Sequence, residues 1–206
     1  MSMSISYDRT GRTAQKARTR AALIGATRQL LAAGGTPGVE EAAEAAGVSR
    51  ATAYRYFPNR RALLLAAHPE VEATDLLGDD APDDAHERLD RTIEALIRLT
   101  VDTEPELRTM LRLSLEPGPE QELLLRQGRA IGWIEAALAP LQAQLSAPEL
   151  RRLVLAIRAA CGIEALVWLT DVARLSREEA ATLMRWSAQG LLKAALLEAD
   201  EREGSP

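Results

Sequence analysis

Residues 39–57 read VEEAAEAAGVSRATAYRYF, two short helical patterns joined by Gly47-Val48-Ser49. Gly47 can take a positive φ and stop the first helix. Ser49 is a good N-cap for the second. The second pattern carries Arg50, Thr52, Tyr54, Arg55 and Tyr56 without an acid among them, and Pro58 stops it. A short apolar helix, a glycine corner and a short cationic, hydroxyl-rich helix make a helix-turn-helix pattern. Its second member has the size of helices that enter the DNA major groove.

Working outward, the charge is unevenly spread. Residues 1–67 hold ten Lys/Arg against four acids, a net of +6, while the remainder holds 15 against 26, a net of −11. A basic head on an acidic body suits a protein that offers one end to a polyanion. Aromatics are 3% of the chain, and Ala, Leu, Glu and Arg dominate, so an all-α fold is expected. The single cysteine, Cys161, excludes an internal disulfide and fits a reducing, cytoplasmic compartment. The N-terminus lacks the apolar stretch of a signal peptide, and the longest apolar runs read as too short to cross a bilayer.

The stretch Ala43-Glu44-Ala45-Ala46-Gly47-Val48-Ser49-Arg50-Ala51-Thr52-Ala53-Tyr54-Arg55-Tyr56-Phe57-Pro58-Asn59-Arg60, continuing into Ala62-Leu63-Leu64, resembles the N-terminal DNA-binding domain of the TetR (tetracycline-repressor-like) family. Farther on, residues 162–169 (GIEALVWL) are similar to the penultimate helix of many members. The resemblance implies a three-helix DNA-binding domain over 1–67 and a helical ligand-binding and dimerisation domain over 68–206, about nine helices in all. It implies a homodimer on a palindromic double-stranded operator and a repressor released by a largely apolar small molecule; no cofactor and no membrane partner are expected. A departure is the loop Gly34-Gly35-Thr36-Pro37-Gly38. The family usually places a phosphate-binding Ser or Thr at the cap where Gly38 stands here, and Thr36 is the available substitute.

Val48, Ala53 and Phe57 are expected to face the small core. Arg50, Ala51, Thr52 and Arg55 are expected to face base edges, since arginine reads guanine bidentately and Thr or Ala touches a thymine methyl. Tyr54, Tyr56 and Arg60 are expected at phosphates, which fix register. Ahead of them a helix is expected over 13–33. Ala17, Ala21, Ile24, Thr27 and Leu31 form its buried stripe, and Arg12, Lys16 and Arg20 lie on another face. Residues 1–12 read as a disordered basic arm, able to reach DNA or simply untethered.

Asn59 is a cap for the next helix, which Pro69 ends near His68. Residues 75–84 (DLLGDDAPDD) form an acidic boundary. Helices are then expected from Ala85, from Glu104, over 120–138 with Leu123 and Leu124 among its buried residues, over 148–172 and, after the capping box of Ser176 and Glu179, to about Leu197. In the last, Ala180, Leu183, Met184, Ser187, Leu191, Ala194 and Ala195 read as inward. An effector pocket among these helices makes Thr100, Met110, Trp133 and Trp168 its candidate lining. Glu164, Val167, Leu183, Ser187 and Leu191 are the candidate dimer interface.

No catalytic set is present. His68 and His86 are far apart, and there is no CxxC, HExxH, phosphate-loop or GxSxG pattern. Cys161 reads as inert packing, and Asp79, Asp80, Asp83 and Asp84 as a solvated linker rather than a metal site. The competing function is a helical ligand-binding or scaffolding protein with a vestigial DNA reader, suggested by Gly38 and Ala53.

Overall fold

A computed structural model describes residues 4–71, 75–115 and 128–203. All the regular structure among them is helical. The chain forms two compact units, Met1–Val71 with Thr109–Leu125, and Glu72–Arg108 with Arg126–Pro206.

The first unit contains α1 (Ser4–Ala32), α2 (Val39–Ala45), α3 (Arg50–Tyr56) and α4 (Arg60–Ala67). Helix α1 begins at Ser4, so most of the expected disordered arm is the first turns of a long helix. Gly11 does not interrupt it, since an isolated glycine only lowers helix propensity. The buried face of α1 is also narrower than its sequence suggests. Leu23, Ile24, Ala26, Thr27 and Leu31 are buried, while Ala17 and Ala21 are exposed. One core cluster joins Leu23 and Ile24 to Val39, Ala42 and Ala43 of α2, Ala53 and Phe57 at α3, and Leu63 of α4. Ala42 and Ala53 are fully buried, so their small side chains bring helices close rather than leaving a face open. Arg28 reaches from α1 to donate through Nε to the Ala67 carbonyl at 3.0 Å. That places a cation at the negative end of α4. Pro69 acts as expected: α4 ends at Ala67 and a 3₁₀ turn, Pro69–Val71, follows. His68 is buried, and its Nδ1 accepts the Glu70 N–H, a structural role.

Helix α6 (Glu104–Leu115) contributes to both units. Its Met110 and Leu113 pack with Leu31, Leu64 and Ala67 in a second cluster of the first unit. Thr109 Oγ1 donates to the Leu31 carbonyl at 3.0 Å.

In the second unit, α5 (Ala85–Asp102), α7 (Arg129–Ala137), α8 (Ala147–Ala160) and α10 (Arg177–Glu203) pack in a ring, α5 on α10 and α7, α8 on α7 and α10. Their inward residues include Leu89, Ile93 and Leu96, then Ala130 and Ile134, then Leu153, Val154 and Ile157, then Ala180, Met184, Ala188 and Leu192. Arg88 of α5 donates to the carbonyls of Ala137 (3.0 Å) and Ala136 (2.9 Å), closing the C-terminal end of α7. The expected helix over 120–138 is described only as α7. Leu123 and Leu124 lie outside the described residues.

Two expectations need correction here. The apolar helix over 148–172 is interrupted. Helix α8 ends at Ala160 with Cys161 as its C-cap, Gly162 is fully extended (φ 178°, ψ −175°), and α9 (Ile163–Val167) leads into one π-helical turn, Trp168–Val172. Cys161 is buried, and its thiol, pushed up to about 12 by burial, donates to the Met184 carbonyl. It packs in the interior of the second unit. Taken end to end, Ala147–Val172 is long and apolar enough to cross a membrane by length and composition, contrary to the expectation from its uninterrupted apolar runs. Its buried face packs in the ring of helices.

The second correction concerns α10. The capping box at its start forms as read: Ser176 N–H reaches Glu179 Oε2 at 2.8 Å, and Glu179 N–H reaches Ser176 Oγ at 3.2 Å. The buried stripe, however, is Ala180, Met184, Ala188, Leu192 and Ala199. Leu183 and Ala194, read as inward, are exposed, and Leu191 and Ser187 are half-buried. An i, i+4 series of alanines and Met184 lets α10 lie close to α5 and α8, whereas the bulkier Leu183 stays outside.

Candidate nucleic-acid interface

The turn between α2 and α3 is built as its residues require. Gly47 has φ +63°, a left-handed conformation that glycine adopts without strain. Its N–H bonds to Glu44 O at 3.1 Å, and the Val48 N–H to Ala43 O at 2.8 Å, closing α2. Ser49 Oγ accepts the Thr52 N–H at 3.3 Å and donates to Thr52 Oγ1 at 2.9 Å. Val48 packs half-buried on the core cluster, and Ala53 and Phe57 are buried. Helix α3 is therefore anchored along one side, and its other side faces out.

On that outer side Arg50, Ala51 and Arg55 are exposed, and Tyr54 is 44% exposed. Thr52 is half-buried, and its hydroxyl accepts from Ser49 Oγ. Tyr56 is half-buried, its ring against the core cluster, and the Arg55 guanidinium carbon stands 5.8 Å from that ring's centre. Arg60 is half-buried, with Nε and Nη2 of its guanidinium enclosed, so it offers less of its charge to solvent than Arg50 or Arg55.

Arg20 of α1 lies over the Phe57 ring at 5.6 Å. This cation–π contact brings a basic side chain of α1 beside the end of α3. Gly38 caps α2 without a side chain, and only half a capping box forms, with the Gly38 N–H donating to Glu41 Oε2 at 2.7 Å. Thr36 is exposed and lines, with Leu30, Pro37, Glu41, Glu44 and Ala45, a groove of about 320 Å³. Sequence reasoning missed one contact at this surface. Glu40 Oε2 of α2 stands 3.5 Å from Arg50 Nη1. The two are ten positions apart in sequence, so no helical spacing rule could pair them.

The four candidate effector residues do not gather in one place. Thr100 is buried in α5 and donates to Leu96 O at 2.8 Å; Trp133 is half-buried on α7; Trp168 is 57% exposed. Met110 belongs to the core of the first unit. A cavity of about 510 Å³ in the second unit is lined by Glu135, Gln142, Leu145, Ala147, Leu150 and Arg151, and by none of the four. Of the candidate dimer residues, Leu183 is exposed, while Glu164, Val167, Ser187 and Leu191 are half-buried. Glu164 Oε2 is 3.4 Å from Arg158 Nη1, the partner that a half-buried carboxylate needs. Leu155, Trp168, Val172, Leu183, Trp186 and Leu197 are exposed on α8, the π turn and α10, with Trp186 71% exposed.

Residues 23–67 match the family model described as bacterial regulatory proteins, tetR family. The fold matches that of a crystal structure from Rhodococcus sp. described as a TetR-family transcriptional regulator. The TM-score is 0.65 at 22% identity, over 84% of this chain and 98% of that one. No curated protein matches the chain significantly. The chain resembles the TetR family, in sequence over its helix-turn-helix and in fold over most of its length.

Proposed function

We propose that this chain, whose residues 23–67 match the tetR regulatory family, is a homodimeric transcriptional repressor that a largely apolar small molecule releases from its operator. The observation that carries this reading is the outer side of α3. Arg50, Ala51, Tyr54 and Arg55 stand in solvent on a two-turn helix whose other side is locked to a core. A rod of that kind enters the major groove, with its cations at base edges and phosphates.

Residues 1–67 act as the reader and 68–206 as the effector and dimerisation part. Arg50, Ala51, Thr52 and Arg55 read bases. Tyr54, Tyr56, Arg60 and Thr36 fix register on phosphate, with Arg20 beside them. The exposed apolar side chains of α8, the π turn and α10 support a two-fold interface through Leu183 and Trp186, with the half-buried Leu191 beside them. An effector would shift the balance between conformations only by its differential affinity for them.

The experiment is operator binding by Tyr54→Ala, Arg50→Ala and Arg55→Ala. Tyr54→Ala is expected to weaken binding to all sequences. The arginine variants are expected to lose about 1–3 kcal/mol of discrimination at one base pair each. Unchanged affinity and preference in all three would refute the assignment. The competing reading, a ligand-binding or scaffolding protein with a vestigial reader, draws support from Gly38, which gives α2 no side-chain cap. It predicts duplex binding too weak to show a steep salt dependence.

A further inference from the structure

Glu40 and Glu41 are neighbours in the first turn of α2 and do different things. Glu41 turns back and accepts the Gly38 N–H at 2.7 Å. Glu40 turns toward α3, its Oε2 3.5 Å from Nη1 of Arg50, the first residue of that helix. The two side chains are 51% and 73% exposed, so the pair adds little to folding stability. Its place in the molecule is what matters. Helix α3 has no acid in its first turn, and Arg50 sets a cation at the positive end of the helix dipole. Glu40 supplies from α2 the anion that α3 lacks.

We propose that Glu40 is a specificity-determining residue of the DNA reader, a positioning group that acts through Arg50; this rests on the reading of α3 as a DNA-binding helix. Guanidinium has five N–H donors in a rigid fork. A contact through Nη1 leaves the Nε–Nη2 edge, two parallel N–H groups, open for the paired O6 and N7 acceptors of a guanine. Glu40 therefore orients the fork without occupying its reading edge. It also offsets part of the charge that Arg50 would otherwise give to any phosphate. An interaction that penalises all sequences and is recovered only by the right base raises discrimination at some cost in affinity.

The experiment compares the full-length wild type with Glu40→Gln, Glu40→Asp, Arg50→Ala and the Glu40→Gln/Arg50→Ala double variant. Circular dichroism verifies the fold of each. Fluorescence anisotropy reads two duplexes of equal length, an operator selected by the wild type and a random sequence. Freeing one more cation for phosphate steepens the salt slope by about one ion, so Glu40→Gln is expected to lose about three- to fourfold more affinity for random DNA between about 50 and 200 mM salt. At the low end of that range it binds random DNA more tightly than the wild type, and its operator-to-random ratio falls. Glu40→Asp restores the ratio in part, and in the Arg50→Ala background Glu40→Gln does not lower it further. A Glu40→Gln variant with wild-type ratio and slope would overturn the proposal, as would an equal drop in ratio with or without Arg50. A wild type with no operator preference would instead sink the DNA-reader reading itself, and this proposal with it.

Discussion

Glu104 is where the second unit concentrates its charge. Its side chain is 5% exposed, and Arg177 Nε (2.5 Å) and Arg108 Nε (2.6 Å) both donate to it. Arg108 also holds Asp171 through Nη1 at 2.7 Å and Nη2 at 2.8 Å. Burial pushes the Glu104 carboxyl up, but the hydrogen bonds from Arg177 and Arg108 outweigh it and hold the group below its ordinary 4.5. The Arg108 fork, helped by Thr170, brings Asp171 down from 3.8 to about 2. Depressed carboxyls bind fewer protons folded than unfolded, so stability rises with pH across this window. The stabilisation is complete above about pH 5 and is lost as pH falls toward 2. Glu104→Gln, which cannot titrate, is expected to show a shallower acid loss than wild type, read by thermal melts at a series of pH values; parallel losses would contradict it. Glu104→Ala is expected to cost about 1–3 kcal/mol, because two arginines lose a buried acceptor but still reach water. Chemical denaturation measures this. The network was not legible in the sequence, where Glu104 read only as a helix start. Its partners lie up to 73 positions away.

At the scale of elements, the helix-turn-helix was legible because its determinants are local. Gly47, the Ser49 cap, the buried Ala53 and Phe57 and the Pro58 stop fall within one short stretch, and α3 runs where they set it. Gly47→Ala tests that economy. A methyl there would meet nothing within 4 Å, so its cost is the left-handed backbone alone, about 1–2 kcal/mol. Urea unfolding is expected to show that loss, and an unchanged midpoint would mean the turn relaxes. The break at Cys161-Gly162 was not legible. Gly162 has an extended backbone that any residue adopts, but an added Cβ would stand 2.2 Å from Arg158 Nη1. Where the Arg158 side chain lies is a property of the packed helices, not of the apolar run. The start of α1 was missed for a related reason: polar composition and Gly11 read as disorder, although nothing in residues 4–12 forbids a helix once the rest of α1 is docked.

At the scale of the whole molecule, the all-helical fold followed from composition and period, and the basic end coincides with the helix-turn-helix. The exposed partner of α10's buried stripe was half legible. The sequence points to Leu183 as an interface candidate but not to Trp186, the most exposed large apolar side chain among the described residues. An alternation between two stripes on one helix is visible only when it is known which stripe the unit itself covers. Trp186→Glu is expected to convert a dimer to a monomer in sedimentation while leaving helicity unchanged, since the side chain lies outside the core. A dimer that survives the substitution would move the interface elsewhere. Loss of the proposed dimer is expected to weaken operator binding in turn, because two linked readers gain from the effective concentration of the second.

The most direct measurement is selection of bound fragments from random duplex DNA by the unmodified protein. Enrichment is expected of an inverted repeat whose half-sites lie about 34–36 Å apart, or a multiple of that, with a guanine at the positions facing Arg50 or Arg55. Recovery of fragments with no shared sequence, or of none above the unselected pool, would contradict it.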